Sequence, residues 1–114
     1  MSPLEAALYV FVLSGGTEPV TCTRRTDSDV ACSNGIAVYE GQDGTLRLST
    51  GAQVRKTADG GLAFSTGLTV NQTGAGWMHF SNGLQVRRTT GNLYRFSNGF
   101  TCLGVSSHEA RCLK

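Results

Sequence analysis

The sequence predicts an all-β domain: an antiparallel meander of six sixteen-residue β-hairpin repeats, about twelve strands, curled into a barrel or a sandwich-like sheet, with a short apolar N-terminal helix or strand. Three observations predict it. The tripeptide Ser-Asn/Thr-Gly begins at Ser33, Ser49, Ser65, Ser81 and Ser97, a spacing of sixteen each time. Between these tripeptides apolar and polar residues alternate with the period of a strand. The 114 residues include 15 glycines and only 2 prolines, a composition of many turns in a length that suits one domain.

Residues 1–16 come first and stand apart from the repeat. Ser2-Pro3-Leu4-Glu5 combines an N-cap serine, a proline at the first helical position and a glutamate that closes a capping box. Leu4 to Leu13 is apolar nearly all round, and Gly15-Gly16 ends it. A short helix of that kind must be buried, either in its own barrel or in a neighbouring subunit. A strand is the alternative, because Leu8 to Leu13 is rich in strand formers. A secretory leader would begin with basic residues, whereas this segment has none and carries Glu5. Glu5 also resembles the fifth-position glutamate of mature type IV pilins, whose apolar helix is much longer.

Residues 17–114 form the repeat domain, with six units over residues 17–112. The unit Thr17 to Cys32 fits in front with its turn residues lost. Counted from the first residue of each unit, four columns are apolar throughout. The fourth holds Val20, Ile36, Ala52, Leu68, Leu84 and Phe100, and the sixth holds Cys22, Val38, Val54, Val70, Val86 and Cys102. The fourteenth holds Val30, Leu46, Leu62, Met78, Tyr94 and Ala110, and the sixteenth holds Cys32, Leu48, Phe64, Phe80, Phe96 and Cys112. Each unit therefore reads as two strands sharing one buried face.

The turns set the register. Ser-Asn/Thr-Gly fits a three-residue hairpin loop with its glycine left-handed. A two-residue type I′ turn would force Thr50 and Thr66 to positive φ and would flip the next strand's apolar face outward. The second turn of each unit follows suit in Gln42-Asp43-Gly44, Ala58-Asp59-Gly60 and Gly74-Ala75-Gly76. Thr90-Gly91-Asn92 ends instead in asparagine, which tolerates the same conformation. This register puts the sixth column opposite the sixteenth. All four cysteines occupy those columns, so Cys22 faces Cys32 and Cys102 faces Cys112, within reach of a disulfide. Terminal units that lack turn glycines and carry covalent staples read as caps. Four buried free thiols are the other reading. The spacing is not one that zinc uses, and only His79 and His108 could assist.

The shape follows from the same register. Each hairpin is displaced by two residues, which over twelve strands implies a tilt of roughly 35°, inside the range of closed barrels. Such a barrel has a lumen too wide for these side chains alone to fill. It must flatten, hold something such as residues 1–16, or stay an open sheet paired with another subunit.

Composition excludes several functions. With 39% hydrophobic and 16% charged residues the chain is neither a disordered tail nor a membrane bundle. A net charge of +2 gives little case for nucleic acid. No apolar run reaches the ~20 residues of a spanning helix. No nucleophile stands with a base, no glycine-rich loop leads from a strand into a helix, and no cofactor or metal site is indicated. Asp43 and Asp59, sixteen apart at equivalent turn positions, would suggest a calcium ladder only with the dense oxygen ligands that are missing here.

The outer face carries the candidate binding residues Tyr39, Arg47, Arg55, Trp77, His79, Arg87, Arg95 and Arg111, with Leu93 among them. Arg87 and Arg95 fall opposite each other, an unfavourable pair unless an anion lies nearby. Arginines beside Trp77 and Tyr39 suit a polyanion, a sugar chain or another subunit, and a plain solvated face is the alternative.

The repeat resembles small bacterial and phage proteins built of short β-hairpin repeats with Ser-Asn/Asp-Gly turns and terminal cysteine pairs, a resemblance that spans residues 17–112 and implies architecture but no activity. Gly91 to Gly99 also resembles a choline-binding repeat, although one Trp and three Tyr are too few for an aromatic cage in every unit. The expectation is a non-enzymatic structural or assembly protein, homo-oligomeric and exposed on a particle surface such as a phage virion or an extracellular filament. Its disulfides point outside the reducing cytosol, with a secreted or periplasmic setting as the alternative. A carbohydrate- or cell-wall-binding module using the Trp77 and arginine face is the second expectation.

Overall fold

Ser2 caps helix α1 (Pro3–Leu13) as the sequence predicts. Its hydroxyl accepts the Glu5 N–H at 3.1 Å, and the Glu5 carboxylate accepts the Ser2 N–H at 3.4 Å. The helix ends in a Schellman motif: Gly16 donates to the Phe11 carbonyl and Gly15 to that of Val12, with φ of 75° and 101° at the two glycines. The pilin-like position of Glu5 is thus a capping position. The structure, a computed structural model, describes residues 1–58, 61–73 and 76–114.

Twelve strands follow: β1 (Val20–Thr26), β2 (Asp29–Cys32), β3 (Ala37–Glu40), β4 (Leu46–Leu48), β5 (Gln53–Lys56), β6 (Leu62–Phe64), β7 (Val70–Gln72), β8 (Trp77–Phe80), β9 (Gln85–Thr90), β10 (Leu93–Phe96), β11 (Thr101–Gly104) and β12 (Glu109–Leu113). They form one antiparallel sheet in the order β6-β5-β4-β3-β2-β1-β12-β11-β10-β9-β8-β7, a nearly closed barrel. The sixth column faces the sixteenth in every unit: Cys22 with Cys32, Val38 with Leu48, Val54 with Phe64, Val70 with Phe80, Val86 with Phe96 and Cys102 with Cys112. Both cysteine pairs are disulfides, each with Cα atoms 4.0 Å apart.

The repeat register also joins the two ends of the sheet. Val20 pairs with Cys112 and Cys22 with Ala110, the relation that one unit's second strand has to the next unit's first. The sheet is therefore cyclic in register, and its one seam lies in mid-chain, between β6 and β7. At four junctions between units the turn has two hydrogen bonds, for example Gly51 N–H to Leu48 O at 2.9 Å and Leu48 N–H to Ala52 O at 2.8 Å. At the seam the turn keeps, among the described residues, only the bond from Gly67 to Phe64, at 3.3 Å. Side chains cover the seam from within: Phe64 meets Phe80 edge-on with centroids 6.2 Å apart, and Tyr9 meets Phe64 at 6.0 Å.

The repeated serine has a structural use. Ser33, Ser49, Ser65 and Ser81 each accept on their hydroxyl the N–H of the residue twelve positions earlier, Thr21, Ala37, Gln53 and Thr69, and so continue the ladder past the strand end.

The lumen is filled by α1. Ala6, Ala7, Val10 and Val12 are completely buried, and Phe11 packs on Phe96 and Phe100 with centroids 4.9 and 5.0 Å apart. The apolar segment is thus a helix inside its own barrel and not a strand. One turn differs from expectation. Thr90 pairs with Leu93 across Gly91-Asn92, and the register shifts before Tyr94 pairs with Arg88. The bulge absorbs one residue, so the predicted Thr90-Gly91-Asn92 triplet is a two-residue loop. The expected triplets Ala58-Asp59-Gly60 and Gly74-Ala75-Gly76 lie partly outside the described residues.

Candidate functional site: a tryptophan and arginine row on the outer face

Alternation along β8, β9 and β10 sends Trp77, Arg87 and Arg95 outward, and the sheet register sets them side by side. Trp77 pairs with Arg87, Arg87 with Arg95, and Arg95 with Thr101. The Arg87 guanidinium carbon lies 6.0 Å from the Trp77 ring centroid, a cation–π distance. His79, two residues on from Trp77, lies with its ring centroid 6.2 Å from the indole and pairs with Gln85. Trp77 and His79 are half-buried, while Arg87 and Arg95 are exposed. Among the described residues neither arginine has a carboxylate partner. Two like charges opposite each other repel, so this row is a place where an anion would relieve an existing cost.

The other predicted residues lie elsewhere on the barrel. Tyr39 pairs with Arg47 on β3 and β4, and Tyr39 is 52% exposed. Arg47 sits 3.7 Å from Asp43. The Asp43 carboxyl is held below the usual carboxylate range, first by the Thr45 N–H that it accepts at 3.0 Å and then by Arg47. Asp43 is therefore committed to its own turn, and its expected counterpart Asp59 lies outside the described residues. Arg111 pairs its charge with Glu109 at 2.8 Å. Arg55 was expected to flank Trp77 as Arg87 does. It stands on β5, separated from β8 by β6, the seam and β7. Equivalent repeat positions are neighbours only where consecutive units stay zipped. The seam removes Arg55 from the row, which becomes Trp77, His79, Arg87 and Arg95.

Sequence reasoning missed the eighth column. Arg24, Glu40, Lys56, Gln72 and Arg88 continue the inward alternation past the apolar core and ring the barrel mouth where α1 begins. Arg24 donates to the carbonyls of Met1 at 2.7 Å and Asp27 at 3.1 Å, and Glu40 pairs with the Met1 amino group at 2.7 Å. The signal was a column polar in five of six units yet in phase with the buried ones.

Among the described residues no three His, Cys, Asp or Glu side chains gather as a metal-binding group, and no helix is long and apolar enough to cross a membrane. No protein-family model, curated protein or solved structure matches the chain.

Proposed function

We propose that the protein is a non-enzymatic structural or assembly component exposed on a particle surface, a virion or an extracellular filament, that binds an acidic partner surface through the Trp77, Arg87 and Arg95 row. The observation that carries this reading is the row itself: two adjacent arginines that have no carboxylate partner among the described residues, beside a half-buried tryptophan. The helix is buried inside its own barrel, which favours the outer surface for association. The two disulfides suit an oxidising location. Aromatic and arginine side chains are the residues that anchor interfaces.

A second reading has its own support. A tryptophan flanked by His79 and Arg87 is a platform for a sugar ring bearing an acidic group, which would make the protein a carbohydrate- or cell-wall-binding module. Sedimentation at low and high salt separates the two. An assembly protein forms large species that dissociate as salt screens the arginines over ~8–10 Å, whereas a binding module is monomeric and is retained on an anionic glycan support. Trp77→Ala should abolish either interaction and leave the fold intact. A folded Trp77→Ala variant with unchanged association and retention would show that the face is merely solvated.

A further inference from the structure

Helix α1 does not fill the lumen evenly. It packs on β11, β12, β1 and β2, and the Tyr9 ring meets Phe64 of the seam strand β6. The fourteenth column records the imbalance. Val30, Leu46 and Ala110 are buried, at 0%, 6% and 0% exposure. Leu62 and Met78, the same column in the two units that border the seam, and Tyr94 in the unit after them are only half-buried although they too face inward. Two cavities of about 280 and 310 Å³ occupy the space thus left at the barrel mouth, and both are bounded by Glu5, Tyr9, Lys56 and Leu62.

The charges at this mouth are unequal in their commitments. Glu5 has its carboxylate turned back onto the Ser2 N–H. Glu40 holds the Met1 amino group. Arg88 donates to the Gly91 carbonyl at 2.9 Å and lies over Tyr94, with no carboxylate beside it among the described residues. The Lys56 ammonium has neither a hydrogen bond nor an ion pair among the described residues. Lys56 and Arg88 both border the larger cavity, one on each side of the seam, above Leu62 and Met78. The space thus has an apolar floor, and its rim carries Lys56 and Arg88, neither with a carboxylate partner among the described residues, together with Glu5.

We propose that this crevice binds an anionic amphiphile with a single short chain, of which a medium-chain fatty carboxylate is the simplest. The carboxylate sits between Lys56 and Arg88, and the chain covers Leu62, Met78 and Tyr94. Each chamber lies near the lower end of small-molecule pockets, about 300–1,000 Å³. That size suits one short chain and excludes a two-chain lipid. The site shares no residue with the outer row, so either assignment stands or falls without the other.

Decanoate is the probe, added to the disulfide-intact full chain below its micelle concentration. Isothermal titration should show saturable binding with one site per chain, and the Met78 methyl resonance should shift on titration. Decyltrimethylammonium, with the same chain and the opposite charge, should not bind. Lys56→Gln and Arg88→Gln should each weaken decanoate on the order of tenfold, the effect of removing one charged partner. Met78→Trp should fill the crevice and abolish binding while thermal stability holds or rises, which excludes misfolding as the cause. Absence of saturable decanoate binding overturns the proposal, as does equal binding of the cation or undiminished binding by Met78→Trp.

Discussion

Asn98 donates from Nδ2 to the carbonyl of Gly16 at 2.7 Å, while its Oδ1 accepts the Phe100 N–H of its own turn at 3.2 Å. One amide thereby closes a hairpin and ties down the C-terminal end of the buried helix. Asn82 does the same for Val12, at 3.3 Å, and for its own Leu84 N–H. In two other units the column holds Thr50 and Thr66, which accept the turn N–H with Oγ1 at 3.4 Å and reach no helix carbonyl. Among the described residues, the contacts that this column makes with the plug thus come from Asn82 and Asn98.

Asn98→Thr should keep the turn and leave the Gly16 carbonyl without its donor, at a cost of about 1–2 kcal/mol. Asn34 closes its turn onto Ile36 without touching the helix, so Asn34→Thr should change stability by no more than about 0.5 kcal/mol. Chemical denaturation of the two variants checks the difference. Equal effects would show that the helix contact is not used.

The two disulfides flank the ladder that joins the ends of the sheet, because Cys22 is opposite Ala110 and Cys112 opposite Val20 across β1 and β12. Each closes a loop with a sequence separation of 10, for which loop entropy gives about 2–3 kcal/mol. Non-reduced peptide mapping should find only these two linkages. Replacing both cysteines of either pair by serine should lower stability by that amount, and a Cys22–Cys112 or Cys32–Cys102 linkage would refute the register.

Burial pushes the Tyr9 phenol well above its usual range, helped by the nearby Glu5 and Tyr94. The folded state thus holds its proton where the unfolded chain releases one near pH ~10. The unfolded state then binds fewer protons than the native state, so stability falls as pH rises above ~10 and is fully present below it. Tyr9→Phe should flatten this alkaline decline in thermal melts recorded across pH 9–11. An unchanged decline would mean that Tyr9 is not its source.

Much of the register was legible because it is local. The columns of Cys22 and Cys32, or Val86 and Phe96, follow from turn length and alternation alone. The seam was not legible. Ser49-Thr50-Gly51 and Ser65-Thr66-Gly67 are the same tripeptide, yet the first is fully zipped and the second opens. The tripeptides being identical, the difference lies outside them. The Trp77–Arg87–Arg95 row was legible through pairing, whereas Arg55 was misplaced because the seam intervenes. The polar mouth was missed because the eighth column breaks the apolar pattern while keeping its phase.

Arg95→Glu gives the outer row a direct test. Opposite Arg87 it turns a repulsion into an attraction, so the domain should gain about 0.5 kcal/mol while losing salt-sensitive association or retention on an anionic support. Thermal unfolding and sedimentation measured side by side check both effects. A variant that is destabilised, or that still associates normally, would show that the row has no anionic partner.

The central claim is that the sheet is a barrel wrapped on its own helix. Circular dichroism of a chain lacking residues 1–16 tests it most directly. Removing Phe11, Val10 and their neighbours leaves Phe96, Phe100 and the disulfide-bearing strands facing an empty lumen, a loss far larger than the 3–5 kcal/mol typical of one buried aromatic. Against a total stability of about 5–15 kcal/mol, the truncated chain should lose its near-ultraviolet aromatic signal and its cooperative thermal transition. A truncated chain that keeps both would contradict the account.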